Sequence, residues 1–233
     1  MYLPGGSGSQ VDEPAPQRRH WEGVFSANPA MYGAQPSAPV VHAIGLFQRH
    51  QAHDVLELGA GQGRDTLALL AAGFDVTALE YAEPALAELR QAAAAAGLGN
   101  GLRAVAHDVR QPLPLPDESV DAVYSHMLFC MDLSTSELVA LSAEVARVLR
   151  PGGIHVYTVR HVGDAHFGVG PAHGDNTYES GGFVVHFFDR ALVEQLSHGF
   201  QDVEVEPFEE GELPRRLWRV TSRRTGSRTA LRT

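Results

Sequence analysis

The chain of 233 residues contains no lysine; all 18 of its basic residues are arginine. That absence excludes a Schiff-base lysine, the phosphate-binding lysine of a Walker loop and a Tyr-x-x-x-Lys pair. Cysteine is nearly missing too. Cys130 stands alone, so no disulfide can close within the chain, in keeping with a reducing cytoplasm. No run approaches the ~18 uninterrupted apolar residues of a transmembrane helix. Met1–Gln10 is rich in Gly and Ser and lacks the basic-then-apolar order of a secretory signal. The charge of −10 argues against a nucleic-acid partner, because phosphate binding needs a basic face. These exclusions point to a cytoplasm and away from nucleic acid and membrane; a small-molecule partner and a monomer or homodimer are expected.

Hydrophobic residues make up 44% of the chain, enough for one sizeable core. Residues 1–19 show no apolar period and read as a flexible leader, and 224–233 as a loose tail, leaving one domain over 20–223. Between them strands and helices alternate. Asp54–Leu58 (DVLEL) is a short apolar run stopped by Gly59, as a buried parallel strand would be. A helix over about Arg64–Ala72 follows, then a strand at Phe74–Glu80 and an Ala-rich helix opened by Pro84 and ended by Gly97. Leu102–His107 and Val120–Ser125 are the next strands. Ser134 and Glu137 form a capping box for a helix to about Leu149, and its Leu138, Leu141, Val145 and Val148 share a face. Pro151-Gly152-Gly153 interrupts before a strand at Ile154–Val159. Asp189 caps a last helix that ends at Gly199, and Val203–Val205 and Leu217–Thr221 close the series. The pattern predicts an α/β fold, a Rossmann-like doubly wound sheet of seven strands, mostly parallel with an antiparallel C-terminal strand. Its binding site must lie at the carboxyl ends of the strands.

The first such end reads Glu57-Leu-Gly-Ala-Gly-Gln-Gly-Arg-Asp. Glycines at 59, 61 and 63 permit a tight turn and close approach of a ligand to the backbone. A dinucleotide fold wants G-x-G-x-x-G, but Arg64 stands where the third glycine belongs. Glu80 ends the second strand and can accept both hydroxyls of a ribose, through charge-assisted bonds of roughly 1.5–3 kcal/mol each. Glu80 would serve NAD equally well. Asp65, in the first helical turn, suits the helix dipole as well as a ligand. His107-Asp108-Val109 ends the third strand, and Asp108 is either an acceptor there or a solvent-facing turn residue.

VLELGAGQGRDT resembles motif I of the class I S-adenosylmethionine (SAM)-dependent methyltransferases, and Val148-Leu-Arg-Pro-Gly-Gly resembles a turn frequent in that class. The likeness implies that Gly59, Ala60, Gly61 and Gly63 hold the methionine part of SAM, with Glu57 at its amino-acid end. It also implies that Asp108 accepts from the adenine amino group, with the Val109 N–H on the ring. Tyr81 packs either on the ribose or adenine or simply in the core. His107, Asp65, Ser125 and Tyr32 complete the expected set for SAM and its product S-adenosylhomocysteine. Trp21, Phe25 and Tyr32, in the segment Trp21–Gly33, either close over the cofactor or pack an N-terminal helix.

Ser125-His126-Met127-Leu128 is not the Asn/Asp-Pro-Pro-aromatic box of base-amino methylation, and no Pro-Cys pair exists for cytosine C5 chemistry. Residues 160–188 are long for a strand-to-helix connection and carry Arg160, His161, His166, His173, Tyr178 and His186. Together with GQGRD this segment resembles the small bacterial tellurite-resistance-type methyltransferases, a likeness covering most of 21–222. The histidine separations match no compact ligand motif, so no metal is expected. Arg160, His161 and His126 are the candidates for catalysis, an imidazole acting as base or Arg160 holding a substrate anion or pairing with a buried carboxylate. His166, His173, Tyr178, His186 and Met127 are the candidates for binding substrate. Cys130 reads as an apolar filler. The expected reaction is methyl transfer from SAM to a thiol, chalcogen oxyanion, amine or hydroxyl of a small compound. The alternatives are an NAD-dependent oxidoreductase and a non-catalytic SAM-binding protein.

Overall fold

A computed structural model describes residues 16–180, 182–211 and 215–226. Residues 1–15 of the expected leader and 227–233 of the expected tail lie outside them. The five parallel strands are β1 (Asp54–Leu58), β2 (Asp75–Glu80), β3 (Leu102–Ala106), β4 (Val120–His126) and β5 (Leu149–Arg160). Two long strands follow, β9 (Phe200–Glu210) and β10 (Arg215–Arg224), and the order across the sheet is β3-β2-β1-β4-β5-β10-β9. β10 runs antiparallel to both neighbours, so it alone opposes the rest. The chain order reverses between β1 and β4, and that switch point opens a crevice at the carboxyl ends.

Alternate residues of each strand face opposite layers. Val55, Val76, Ala78, Ala122, Tyr124, Ile154 and Val156 pack against α2 (Ala38–Arg49), α3 (Arg64–Ala71) and α4 (Glu83–Ala95). Leu56, Leu58, Leu79, Val123, Tyr157, Val159 and Trp218 face α5 (Thr135–Val148) and α6 (Arg190–Leu196). The Ser134 capping box is formed, and Asp189 accepts from Leu192 N to cap α6. Among the described residues no helix is long and apolar enough to cross a membrane.

Four features differ from the sequence reading. Helix α1 (Pro16–Ala27) begins inside the stretch read as leader. α2 carried no assignment; Ser37 caps it and Pro39 sits in its first turn. The Pro-Gly-Gly turn lies within β5, where the pairing jumps from Val120↔Leu149 to Ala122↔Ile154 and Gly152 has φ +78°. A bulge of this kind lets the chain turn without ending the strand. Segment 160–188 is no plain loop either. It builds a second antiparallel sheet from β6 (Ala172–Gly174), β7 (Thr177–Ser180) and β8 (Phe183–His186).

Candidate active site

The glycine turn after β1 is tied to β2, with the N–H groups of Gly59 and Ala60 donating to the Leu79 carbonyl. Gly59, Gly61 and Gly63 all have positive φ, at +72°, +53° and +89°. At Gly63 a Cβ would stand 2.3 Å from Leu89 of α4, so only glycine fits there. Two carboxylates sit beneath the turn. Glu57 is buried and accepts from Thr66 Oγ1 at 2.5 Å, and burial pushes its pKa up to about 8. Glu80 is buried and accepts from Gly61 N at 3.0 Å and Ala82 N at 2.9 Å. Burial raises its pKa as well. Each oxygen offers two lone pairs, so both groups keep acceptor capacity toward a ligand in the crevice.

Other residues expected at the cofactor are tied into the protein. Asp65 accepts from Ser37 N, Ser37 Oγ and Tyr124 OH at 2.7–2.9 Å, so it fastens α2 to α3 and β4 beneath the site. Asp108 is gripped through both oxygens by Arg110, at 3.0 and 2.9 Å. Burial raises the Asp108 pKa, but the bonds from Arg110 prevail and hold it low. Val109 is buried in the core, and Tyr81 has its hydroxyl pKa raised by burial. The Ser125 hydroxyl and His107 Nε2 are buried with no hydrogen-bond partner among the described residues.

Tyr32 lies under the Arg64 guanidinium, 5.6 Å from its ring centroid, in a strap over the glycine turn. Gln62, in the turn itself, accepts from Met31 N and donates to the Asn28 carbonyl and Glu88. Phe25 of α1 reaches Gly61, where an added Cβ would stand 3.5 Å from its ring. Trp21 stacks on Phe25 and meets Phe183 of β8. The second of the two expected readings of 21–33, core packing, is joined to the first: the helix packs, and it covers the turn.

The histidines of segment 160–188, expected as His161 in catalysis and His166, His173 and His186 at the substrate, lie in different surroundings. His161 stacks on Trp218, 4.5 Å between ring centres, on the α6 layer. His186 is buried and holds the Leu133 carbonyl through Nδ1. His173 faces Glu179 on the exposed outer sheet, and Tyr178 packs edge-on with Phe167 and Phe187. Of the two roles expected for Arg160, the structure shows the pairing with a buried carboxylate. Arg160 bonds Asp164 at 2.5 Å and meets His166 Nδ1 at 2.8 Å, while Asp164 also accepts from the N–H groups of His166 and Arg216. These bonds engage Nε and Nη2 and fix the guanidinium against Asp164. Cys130 is buried, with its thiol pushed up to about 11 by burial, consistent with a filler.

His126 ends β4 and Met127 follows it, on the carboxyl side of the sheet. Met127 has φ +67°, a costly conformation for a non-glycine residue and one that clusters at functional sites. His126 Nδ1 lies 2.8 Å from Thr158 Oγ1, and its Nε2 lies 3.5 Å from Glu210 of β9. The contact with His126 holds the Glu210 carboxyl below its usual range, although burial opposes it. Thr158, Glu210, Gln62 and Arg110 carried no assignment from sequence. Only Gln62 had a signal, its place inside the glycine motif.

Residues 55–153 match the family model described as a methyltransferase domain. A malonyl-[acyl-carrier protein] O-methyltransferase of Serratia marcescens is 32% identical over 122 residues, 52% of this chain and 43% of that protein. The chain spans less than half the length of the curated relatives it matches. Among solved structures, the 1,6-didemethyltoxoflavin N1-methyltransferase of Burkholderia thailandensis, with S-adenosylhomocysteine bound, superposes with TM-score 0.66 at 22% identity, covering 96% of this chain and 100% of that one. TehB from Haemophilus influenzae superposes with TM-score 0.64 at 18% identity, over 88% and 67%. The likeness to both is one of fold. Domain match, strand order and glycine turn agree: residues 55–153 match a methyltransferase domain, and the chain has the fold of the SAM-dependent methyltransferases on which it superposes.

Proposed function

We propose that the protein transfers the methyl group of SAM to a small-molecule acceptor. One observation carries this reading: two buried carboxylates, Glu57 and Glu80, lie beneath three positive-φ glycines at the β1/β4 switch point. Glu57 has a single side-chain partner and stays protonated to about pH 8, which suits a site awaiting a cationic group such as the ammonium of an amino acid. Glu80 and the glycine backbone would hold the ribose and the methionine part. When bound, SAM supplies an electrophilic methyl on a sulfonium, an excellent leaving group. The chain's own task is then to align the acceptor and keep water out. The α1 helix and the 28–33 strap cover the glycine turn, and His126, Met127, Thr158 and Glu210 border the acceptor side. A broad acceptor class, thiol, chalcogen oxyanion, amine or hydroxyl, fits these groups.

Calorimetry on the purified protein tests the cofactor first. SAM and S-adenosylhomocysteine are expected to bind, NAD is not, and Glu80→Ala is expected to weaken both at least about tenfold through loss of charge-assisted bonds. Binding of NAD in preference to SAM would overturn the reading. A screen with methyl-labelled SAM against thiols, selenite, tellurite, amines and phenols then separates an enzyme from a protein that only holds the cofactor.

A further inference from the structure

The Thr158 side chain is fully buried, so its hydroxyl hydrogen needs an acceptor within the protein. Its oxygen is already used by the Met127 N–H, which donates at 3.0 Å. The partner left in reach among the described residues is His126 Nδ1, at 2.8 Å. The two lone pairs of the oxygen could take both N–H groups, but the buried hydroxyl hydrogen would then have no acceptor, which favours the arrangement in which the hydroxyl donates and Nδ1 accepts. A neutral imidazole that accepts at Nδ1 carries its hydrogen at Nε2. Glu210 Oε2 stands 3.5 Å from Nε2, within ion-pair range. The side chain of His126 is 13% exposed and that of Glu210 29%, so the carboxylate is the more accessible of the two.

We propose that His126 is held as the Nε2–H tautomer, a donor that steadies Glu210, and that the Glu210 carboxylate takes the acceptor's proton. The inference rests on the methyltransferase reading and deepens it. His126, singled out from sequence as a candidate base, is a positioning residue: neither ring nitrogen has a free lone pair. The electron pair of the acceptor's X–H bond stays on X as the new bond to the methyl carbon forms, the methyl–sulfur bond breaks with its pair left on sulfur, and the proton goes to Glu210 and then to solvent. A carboxylate is a weak base, so the acceptor must ionise readily. Thiols and phenolic hydroxyls fit this; aliphatic alcohols do not.

Two measurements test the proposal. Long-range proton–nitrogen spectra of the 15N-histidine-labelled, SAM-free protein at neutral pH report the tautomer of each ring, with His126→Gln assigning the signal. The Nε2–H form is expected for His126, mixed with the other tautomer in Thr158→Val and restored in Thr158→Ser. A dominant Nδ1–H form overturns the proposal whether or not an acceptor is known. Methyl transfer to thiophenol, phenol and benzyl alcohol is the second readout. Glu210→Gln is expected to lower transfer to thiophenol or phenol at least about 100-fold, with S-adenosylhomocysteine still bound. His126→Gln keeps an N–H near the Nε2 position and is expected to stay within about tenfold of the parent. Equal collapse of both variants, or transfer to benzyl alcohol as fast as to phenol, would also overturn the proposal. Failure of the parent to bind S-adenosylhomocysteine would instead strike at the methyltransferase reading.

Discussion

At the residue scale the chemistry turns on burial that a sequence does not display. Glu57 stands in the motif as an ordinary acid, yet its side chain is enclosed and its pKa is lifted to about 8, first by burial and next by the nearby Asp65 charge. In the unfolded chain it titrates near 4.5. Between these values the folded state holds a proton that the unfolded state has lost. Its contribution to stability is therefore complete below about pH 4.5 and is lost as pH rises through 8. Glu57→Gln keeps an acceptor for Thr66 and removes the titration. By calorimetry, the parent's melting temperature is expected to fall between pH 6 and pH 8.5 by several degrees more than the variant's, at roughly 2–4 °C per kcal/mol. Parallel pH profiles would show that Glu57 is ionised throughout. The same limit governs the histidines. His126, His161, His173 and His186 are equivalent in sequence, and only their neighbours, Thr158, Trp218, Glu179 and the Leu133 carbonyl, divide them.

Elements were legible where local rules suffice. DVLEL gives β1 to the residue, because an apolar run bounded by His53 and Gly59 has no competing helix period. The S-x-x-E box gives the start of α5, and both of its bonds are made. Since the apolar face of α5 packs under the central strands, losing the cap should be felt by the whole domain. Ser134→Ala is expected to cost about 1 kcal/mol, a fall of roughly 2–4 °C in melting temperature; no change would mean that water replaces the cap. α2 also carried its signals, Ser37 as cap, Pro39 in the first turn and Val40, Ala43 and Phe47 on one face, but they lie ahead of the recognised motif. β6–β8 had none. β6 is exposed throughout, with no alternation to betray a strand, and its pairing with β7 and β8 is a tertiary fact.

At the scale of the whole molecule, two segments distant in the chain meet beside the glycine turn. α1 and the 28–33 strap come from one side and β8 from the other, joined where Trp21 and His20 meet Phe183. Polar links from Gln62 and Glu88 to the strap, rather than a deep core, hold this roof down. Such segments belong to the less stable part of a fold and respond to ligands. Saturating S-adenosylhomocysteine is expected to slow amide exchange in 16–33 and 160–188 at least about tenfold, while β1 and β4 change little. Equal rates with and without ligand would show that the roof does not touch it. The sequence by itself determined the doubly wound sheet, the order of its first five strands and the glycine turn, because period, caps and positive-φ glycines act over a few residues. Only the tertiary structure decided that Arg160 spends its charge on Asp164, that Glu210 crosses from the far strand to His126, and that the roof exists. Those facts join residues far apart in the chain, and their energies arise from burial and pairing that no local pattern encodes.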